Sequence, residues 1–493
     1  MNYLRFFLVL LSTPFVLGEP AGVSNGHEKD AYLKISAEEL ENRIRGGMLG
    51  QILGNLNGLP HEFKYVHQPG NVEAYIPSLP SGARTDDDTD LEWVIATEIE
   101  RSGQVLLPSA RIVELWKTHI SRGIWCANRY ARGLMELGFE PPTTGSSSIN
   151  PWSEFNIAGQ FCCESFGLMA PAMPQTAARI GLHYTHTTID GEPAQATQLF
   201  TAMIATAFLT DDRQKILNAG RASVDPRSQI AKIVDGVRRL YAEKPDDWRA
   251  TREAIKQRWQ VRGGSMRDRN GYELNTAATI AALLYGEGDL VETMRLAFNF
   301  GWDCDNNAAT VATIIGVTKG RRWMNGQGWD LKDVYQNTTR DQMPMDETIT
   351  RFEDRVIACA RLVIAEQGGE VNLEGDNKYY RIRVQHPKNV ERLASADEHE
   401  GEWRELSRRI VRDLGGSPAD CARAVYLAIC FNEVDHVKRK HPQAWEIGVA
   451  ELKTKPAILR NIFEALPETG ASLQESARQA GFEATSRSLP QDP

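Results

Sequence analysis

Glycine returns at every fourth position, Gly46, Gly50, Gly54 and Gly58, in and just beyond a stretch that otherwise reads as helix. Residues Ala37 to Leu56 carry Leu40, Ile44, Met48, Ile52 and Leu56 at intervals of four, which places them on one helical face. Ser36 precedes Ala37-Glu38-Glu39 as a cap, with Glu39 at the capping-box position. Glycine costs a helix interior about 1 kcal/mol relative to alanine. A stripe of glycines therefore predicts that another backbone or helix approaches closely along it. A flexible glycine-rich segment is the competing reading.

The pattern elsewhere is also helical, and the expectation is an all-α protein. Periodicity predicts helices from Asp90 to Arg101, Ala194 to Leu209, Asn275 to Leu284, Leu290 to Phe298, Asn306 to Val317 and Asp346 to Glu366. The Ala194 stretch is apolar enough to be central. Loops concentrate at Pro69 to Gly82, Pro141 to Pro151 and Gly263 to Gly271, with Thr143 to Ser148 polar and expected to be mobile. Gly368-Gly369 marks a change of character. Lys378 to Val384 reads as a short strand or extended link, and Trp403 to Leu414 and Ala419 to Lys438 read as amphipathic helices. The implied organisation is a main domain over 37–367, a helical C-terminal module over 371–466 and a disordered tail over 467–493. No repeat of solenoid period is present.

At 493 residues the chain can bury a large core, and 42% hydrophobic with 25% charged residues is an ordinary globular composition. A net charge of −9 gives no electrostatic reason to expect nucleic acid or an anionic membrane surface as partner. Arg5, the apolar stretches Phe6 to Leu11 and Phe15 to Leu17, interrupted by Pro14, and a cut near Gly18 have the form of a signal peptide over 1–18, too short to span a bilayer. The expectation is export to a periplasmic or extracellular space, with no membrane span. The seven cysteines do not follow a zinc spacing. Most read as small buried hydrophobes. A bridge between Cys421 and Cys430 is the one pairing suggested, and nine positions along one helix separate their Cα atoms too far for it.

Two acidic clusters carry the chemistry. Thr85-Asp86-Asp87-Asp88-Thr89-Asp90 packs four carboxylates into six residues, and Asp303-Cys304-Asp305-Asn306-Asn307 follows Gly301-Trp302. Each lies where a loop enters a helix, and each alone has an ordinary reading as a helix start favoured by the dipole. Brought together they would suit a hard divalent cation. The second cluster begins like a calcium loop at Asp303, Asp305 and Asn307. Ala308 then stands at the glycine position and Ile314 at the position of the bidentate Glu, so that reading fails.

Three segments together resemble the ADP-ribosylglycohydrolase family. They are the glycine-rich Arg43 to Glu62, Thr85-Asp86-Asp87, and Gly301-Trp302-Asp303-Cys304-Asp305-Asn306-Asn307-Ala308-Ala309, in order and within roughly Leu40 to Gln367. The resemblance implies an orthogonal multi-helix bundle of that family's type and a dinuclear site for Mg2+ or Mn2+. It implies Thr85, Asp86, Asp87, Asp303, Asp305 and Asn306 as metal ligands. Glu62, Asp87 and Asp303 become the catalytic candidates, with Glu62 as general base or water-positioning residue. Asn55 stands where the family commonly has Asp, and Asn306 where a Thr is usual. Asp88 either supports the site from behind or caps its helix.

The activity implied is metal-assisted hydrolysis of a glycosidic bond at the anomeric carbon of ADP-ribose or a related ribosyl group. The alternatives are an exported glycosidase acting on another furanose sugar, and a non-catalytic metal-binding or crystallin-like structural protein. Trp125, Trp152, Phe155, Phe161 and Trp302 are candidates for an aromatic wall, with core packing the commoner role for each. His183 and His186 read as structural, and Gln160 and Glu164 face partners the sequence does not name.

Overall fold

The computed structural model describes residues 31–260, 263–465 and 467–484; the expected signal peptide and the last residues of the expected tail lie outside them. The architecture is all-α, with two small three-stranded sheets at the edge. The glycine-striped helix runs Ala37–Gly58, and Ser36 Oγ accepts the Glu39 N–H at 3.2 Å. Only that half of the expected capping box forms. The Glu39 carboxylate turns away to Arg43 Nε at 2.7 Å and to Arg322 at 2.9 Å.

The stripe lies against the backbone of the helix Cys304–Lys319. A Cβ added at Gly46 would stand 2.3 Å from Gly316 O, one at Gly50 2.1 Å from Ala312 O, and one at Gly54 2.4 Å from Ala308 O. At Gly58 it would meet Asp305 Cα at 2.4 Å. The partners descend as the stripe ascends, so the two helices are antiparallel at backbone contact. The C-terminal end of the first therefore meets the N-terminal end of the second. This pairing brings Asn55 and the Glu62 loop to the Asp303 cluster.

Around this pair the helices Gly191–Ala207 and Tyr272–Tyr285 are buried on almost all sides, as their apolar sequences require. The helix Asp87–Ser102 ends at Gly103, which is left-handed at φ +70°. It enters from β2 (Ala83–Arg84), which pairs in parallel with β3 (Tyr335–Gln336); β3 pairs antiparallel with β4 (Asp346–Glu347). A second sheet has the order β1-β6-β5, with β1 (Tyr32–Ser36) antiparallel to β6 (Tyr379–Arg383) and β6 to β5 (Glu370–Asn372). The residues after 371 thus begin as part of the main body, and the helical module starts at Ala396–Asp413.

Three local expectations differ from the structure. Thr143 to Ser148, expected to be mobile, is largely buried: Thr144 Oγ1 donates to Thr187 O at 2.7 Å, and Asn150 Nδ2 reaches Thr144 O at 3.0 Å. The helix expected from Ala419 to Lys438 is two helices, Pro418–Cys430 and Val434–Lys440, broken where Asn432 turns left-handed at φ +57°. The expected tail opens with a helix, Pro467–Gln479, and Leu473 and Ala477 are buried. None of the seven cysteines is in a disulfide, and no helix among the described residues is long and apolar enough to cross a membrane.

Candidate metal centre

Two left-handed residues hold the loops that carry the acids. After the 3-10 turn Leu59–His61, Phe63 has φ +52°, and Trp302 has φ +58°. The Phe63 N–H donates to Trp302 O at 2.9 Å. Gly301, at φ +83° and ψ −150°, occupies backbone space open to glycine, and a Cβ there would strike Tyr65 O at 2.1 Å. Trp302 is buried, with the Arg252 guanidinium 4.4 Å from its ring centroid. It anchors the loop from inside and is no substrate wall. Trp152, Phe155 and Phe161 are buried too, whereas Trp125 is exposed.

The acids form two triads that share one residue. Oxygens of Glu62, Asp303 and Asp305 lie within 4.8 Å of one another, and so do oxygens of Asp86, Asp88 and Asp305. Four expected site residues therefore meet, and Asp88 joins them. Asp87 falls outside both triads, at the first residue of its helix. Its charge still bears on Glu62. Thr85 is turned away. Its N–H donates to Gln336 O at 2.8 Å, and its hydroxyl lies 3.0 Å from Thr338 Oγ1 and 2.8 Å from Thr339 Oγ1. Asn306 is buried, with Oδ1 accepting from Gln160 Nε2 at 2.8 Å and Nδ2 unpartnered. Asp90 belongs to the scaffold: it is buried against Arg340 at 2.6 Å and accepts from Thr339 Oγ1 at 2.6 Å.

Amide side chains complete the frame; Asn55 lies in one of the three motif segments, and Asn270 and Asn275 do not. Asn270 Nδ2 donates to Asp303 Oδ2 at 2.8 Å. Asn275 Oδ1 accepts the Asp303 N–H at 3.1 Å and Asn307 Nδ2 at 2.9 Å. Asn55 Nδ2 stands 3.0 Å from Asp86 Oδ2, 3.0 Å from Asp88 Oδ2 and 3.3 Å from Asp305 Oδ2. His183 and His186 are structural as expected, bonded to Leu107 O at 2.8 Å and to Glu391 at 2.9 Å.

The electrostatics are those of crowded, buried carboxylates. Burial, then the charges of Asp305, Asp87 and Asp86, push the Glu62 carboxyl up to about 9. Burial, then Asp86, pushes Asp305 up to about 6. Burial followed by neighbouring carboxylates holds Asp87, Asp88 and Asp303 well above the usual range. Carboxylates packed this closely cannot all ionise unless positive charge is supplied. Arg84 is at the edge, 3.7 Å from Asp86 Oδ1 and half in solvent. Asp305 Oδ1 is buried with no partner. An all-oxygen donor set with an orphaned carboxylate oxygen fits a hard divalent ion. Arg84 also lines a groove of about 350 Å3, with Leu56, Leu59, Pro60, Ser78 and Gln336.

Fold and centre together define an all-helical protein that gathers carboxylates from three distant segments at one helix–helix crossing. The sequence model of the ADP-ribosylglycohydrolase family matches residues 36–361, and the chain belongs to that family. Membership points to glycosyl hydrolase activity, in a family that is typically metal-dependent. No curated protein matches the chain by sequence. A solved structure described as an ADP-ribosylglycohydrolase-related protein complex is similar to it at 16% identity and a TM-score of 0.42, over 66% of this chain and 99% of that one.

Proposed function

We propose that the protein is a divalent-cation-dependent hydrolase that cleaves the glycosidic bond at the anomeric carbon of ADP-ribose or a related ribosyl group. The observation that carries this reading is the Glu62–Asp303–Asp305 triad, assembled from both ends of the segment matched to the family. Bound Mg2+ or Mn2+ would be held by these carboxylates and would orient the ribose hydroxyls and polarise bound water.

The chain's own groups account for the rest. Glu62 follows the 3-10 turn Leu59–His61 and stands beside Asp303 and Asp305, where its carboxylate, ionised once a cation replaces its proton, would orient the attacking water. The aspartates offset the positive charge that an oxocarbenium-like transition state develops on the ribose. Their positions are set in advance by Asn55, Asn270 and Asn275, so little reorganisation is needed when that charge appears. Arg84 on the groove wall supplies a guanidinium to a substrate diphosphate.

The test is hydrolysis of ADP-ribosyl-arginine, ADP-ribosyl-serine, poly-ADP-ribose and aryl furanosides, with Mg2+ or Mn2+ and with chelator. Turnover of an ADP-ribosyl substrate that chelator abolishes supports the reading. Turnover of aryl furanosides alone moves the assignment to another sugar, and no turnover on any substrate overturns hydrolysis.

A further inference from the structure

We infer that the protein holds one divalent cation, at Glu62, Asp303 and Asp305, and that the Asn55 carboxamide occupies the place of a second at Asp86, Asp88 and Asp305. The inference rests on the proposed metal dependence and concerns how many ions satisfy it.

The two triads differ in what already fills them. In the Asp86–Asp88–Asp305 triad the Asn55 amide group reaches all three carboxylates, at 3.0, 3.0 and 3.3 Å. The positive end of the amide dipole thus stands among the oxygens that would coordinate an ion. A cation there would face the amide hydrogens at close range. In the Glu62–Asp303–Asp305 triad, Asn270 serves one oxygen of Asp303. No hydrogen-bond donor reaches the Glu62 carboxylate among the described residues. Asp305 joins the two halves: its Oδ2 accepts from Asn55, and its Oδ1 is buried without a partner.

The backbone that carries Asn55 is held in place. Asn55 is fully buried on the striped helix, between Gly54 and Gly58, where an added Cβ would stand 2.4 Å from Ala308 O and from Asp305 Cα. Gln51, one turn earlier, is bound to Asp88 O at 3.2 Å. Turning the amide over would present its oxygen to three carboxylates and send its N–H groups to the place of Oδ1, which has no partner. The flip would lose three hydrogen bonds and make none. An Asp at this position would carry no such donor and would add a ligand oxygen.

The experiment is Mn2+ titration of the full chain by calorimetry, with the electron paramagnetic resonance spectrum recorded at saturation. The wild type should bind one ion and show the six-line spectrum of isolated Mn2+. Asn55→Asp should bind two and show exchange coupling. Two ions of similar affinity in the wild type overturn the inference and leave metal dependence standing. No ion in the wild type overturns both. Should Asn55→Asp fail to fold, two other variants decide. Asp88→Asn should retain the single ion, and Asp303→Asn should lose it; the reverse pattern refutes the placement.

Discussion

The Phe63 N–H reaches the Trp302 carbonyl across 2.9 Å, and both residues hold left-handed backbone. One hydrogen bond between two strained turns therefore fixes Glu62 relative to Asp303. Strain of this kind costs about 1–3 kcal/mol per residue and persists where packing imposes it. Here the imposing contacts are the buried Trp302 indole and Arg252, which donates to Tyr65 O at 2.8 Å and Val66 O at 2.9 Å.

The helix pair should be intolerant of a single methyl group. Gly54→Ala places Cβ 2.4 Å from Ala308 O, inside backbone that cannot rotate away. A loss of about 2–3 kcal/mol is expected, at the upper end of the usual cost of overpacking. Gly401→Ala is the control. It lies in an exposed helix with nothing within 4 Å, and should stabilise by about 0.5–1 kcal/mol. Urea denaturation of both variants checks the pair.

Removing a carboxylate should separate stability from activity. Asp305→Asn takes a mutually repelling charge out of both triads. Without metal the variant should melt above the wild type, while metal-dependent hydrolysis falls by at least about 100-fold, the scale on which essential electrostatic groups act. Asp303→Ala should likewise abolish turnover with the helical circular dichroism unchanged. Melting curves and initial rates on the same preparations test both.

Metal removal should reverse the usual pH response. The native chain keeps the Glu62 proton up to about 9, whereas an unfolded glutamate releases it near 4.5. The folded state thus binds more protons across that window, and stability falls as pH rises through it. In chelator the melting temperature should decline from pH 5 to pH 8.5. Saturating Mn2+ should flatten the profile, because a cation replaces the protons.

Arg84 should distinguish substrates by their phosphates. Its half-exposed guanidinium borders the groove and lies 3.7 Å from Asp86 Oδ1. Arg84→Ala should raise KM for ADP-ribosyl substrates about 10-fold, the loss of a charge-assisted contact, and leave an aryl ribofuranoside nearly unaffected. The effect should shrink as salt increases.

The parts of this site that could be read from sequence were those expressed through spacing. The glycine stripe showed its face because a four-residue interval has one geometric meaning on a helix. Glu62, Asp86, Asp303 and Asp305 emerged from motif order. Asp88, read as either a support or a helix cap, joins Asp86 and Asp305; each residue turns a helix by about 100°, so the sequence alone does not say which carboxylates of a first turn come together. Thr85 was drawn off by β2–β3 pairing, a contact with residues some 250 positions away. Asn270 and Asn275 had no signal, since an amide bonding a residue far along the chain leaves no local pattern. The buried loop at Thr144 and Asn150 looked solvated because its acceptors lie elsewhere in the chain.

The β1–β6 ladder decides where this chain can be cut. The family match ends at 361, yet the strand leading into Ser36 is held by Tyr379–Arg383, beyond that end. A fragment that keeps β1 but stops at 361 would uncover a five-residue strand edge at the entrance to the very helix that carries Asn55. Such an edge invites pairing between copies. The smallest autonomous piece of the molecule is therefore set by this clasp, and it reaches at least to Arg383.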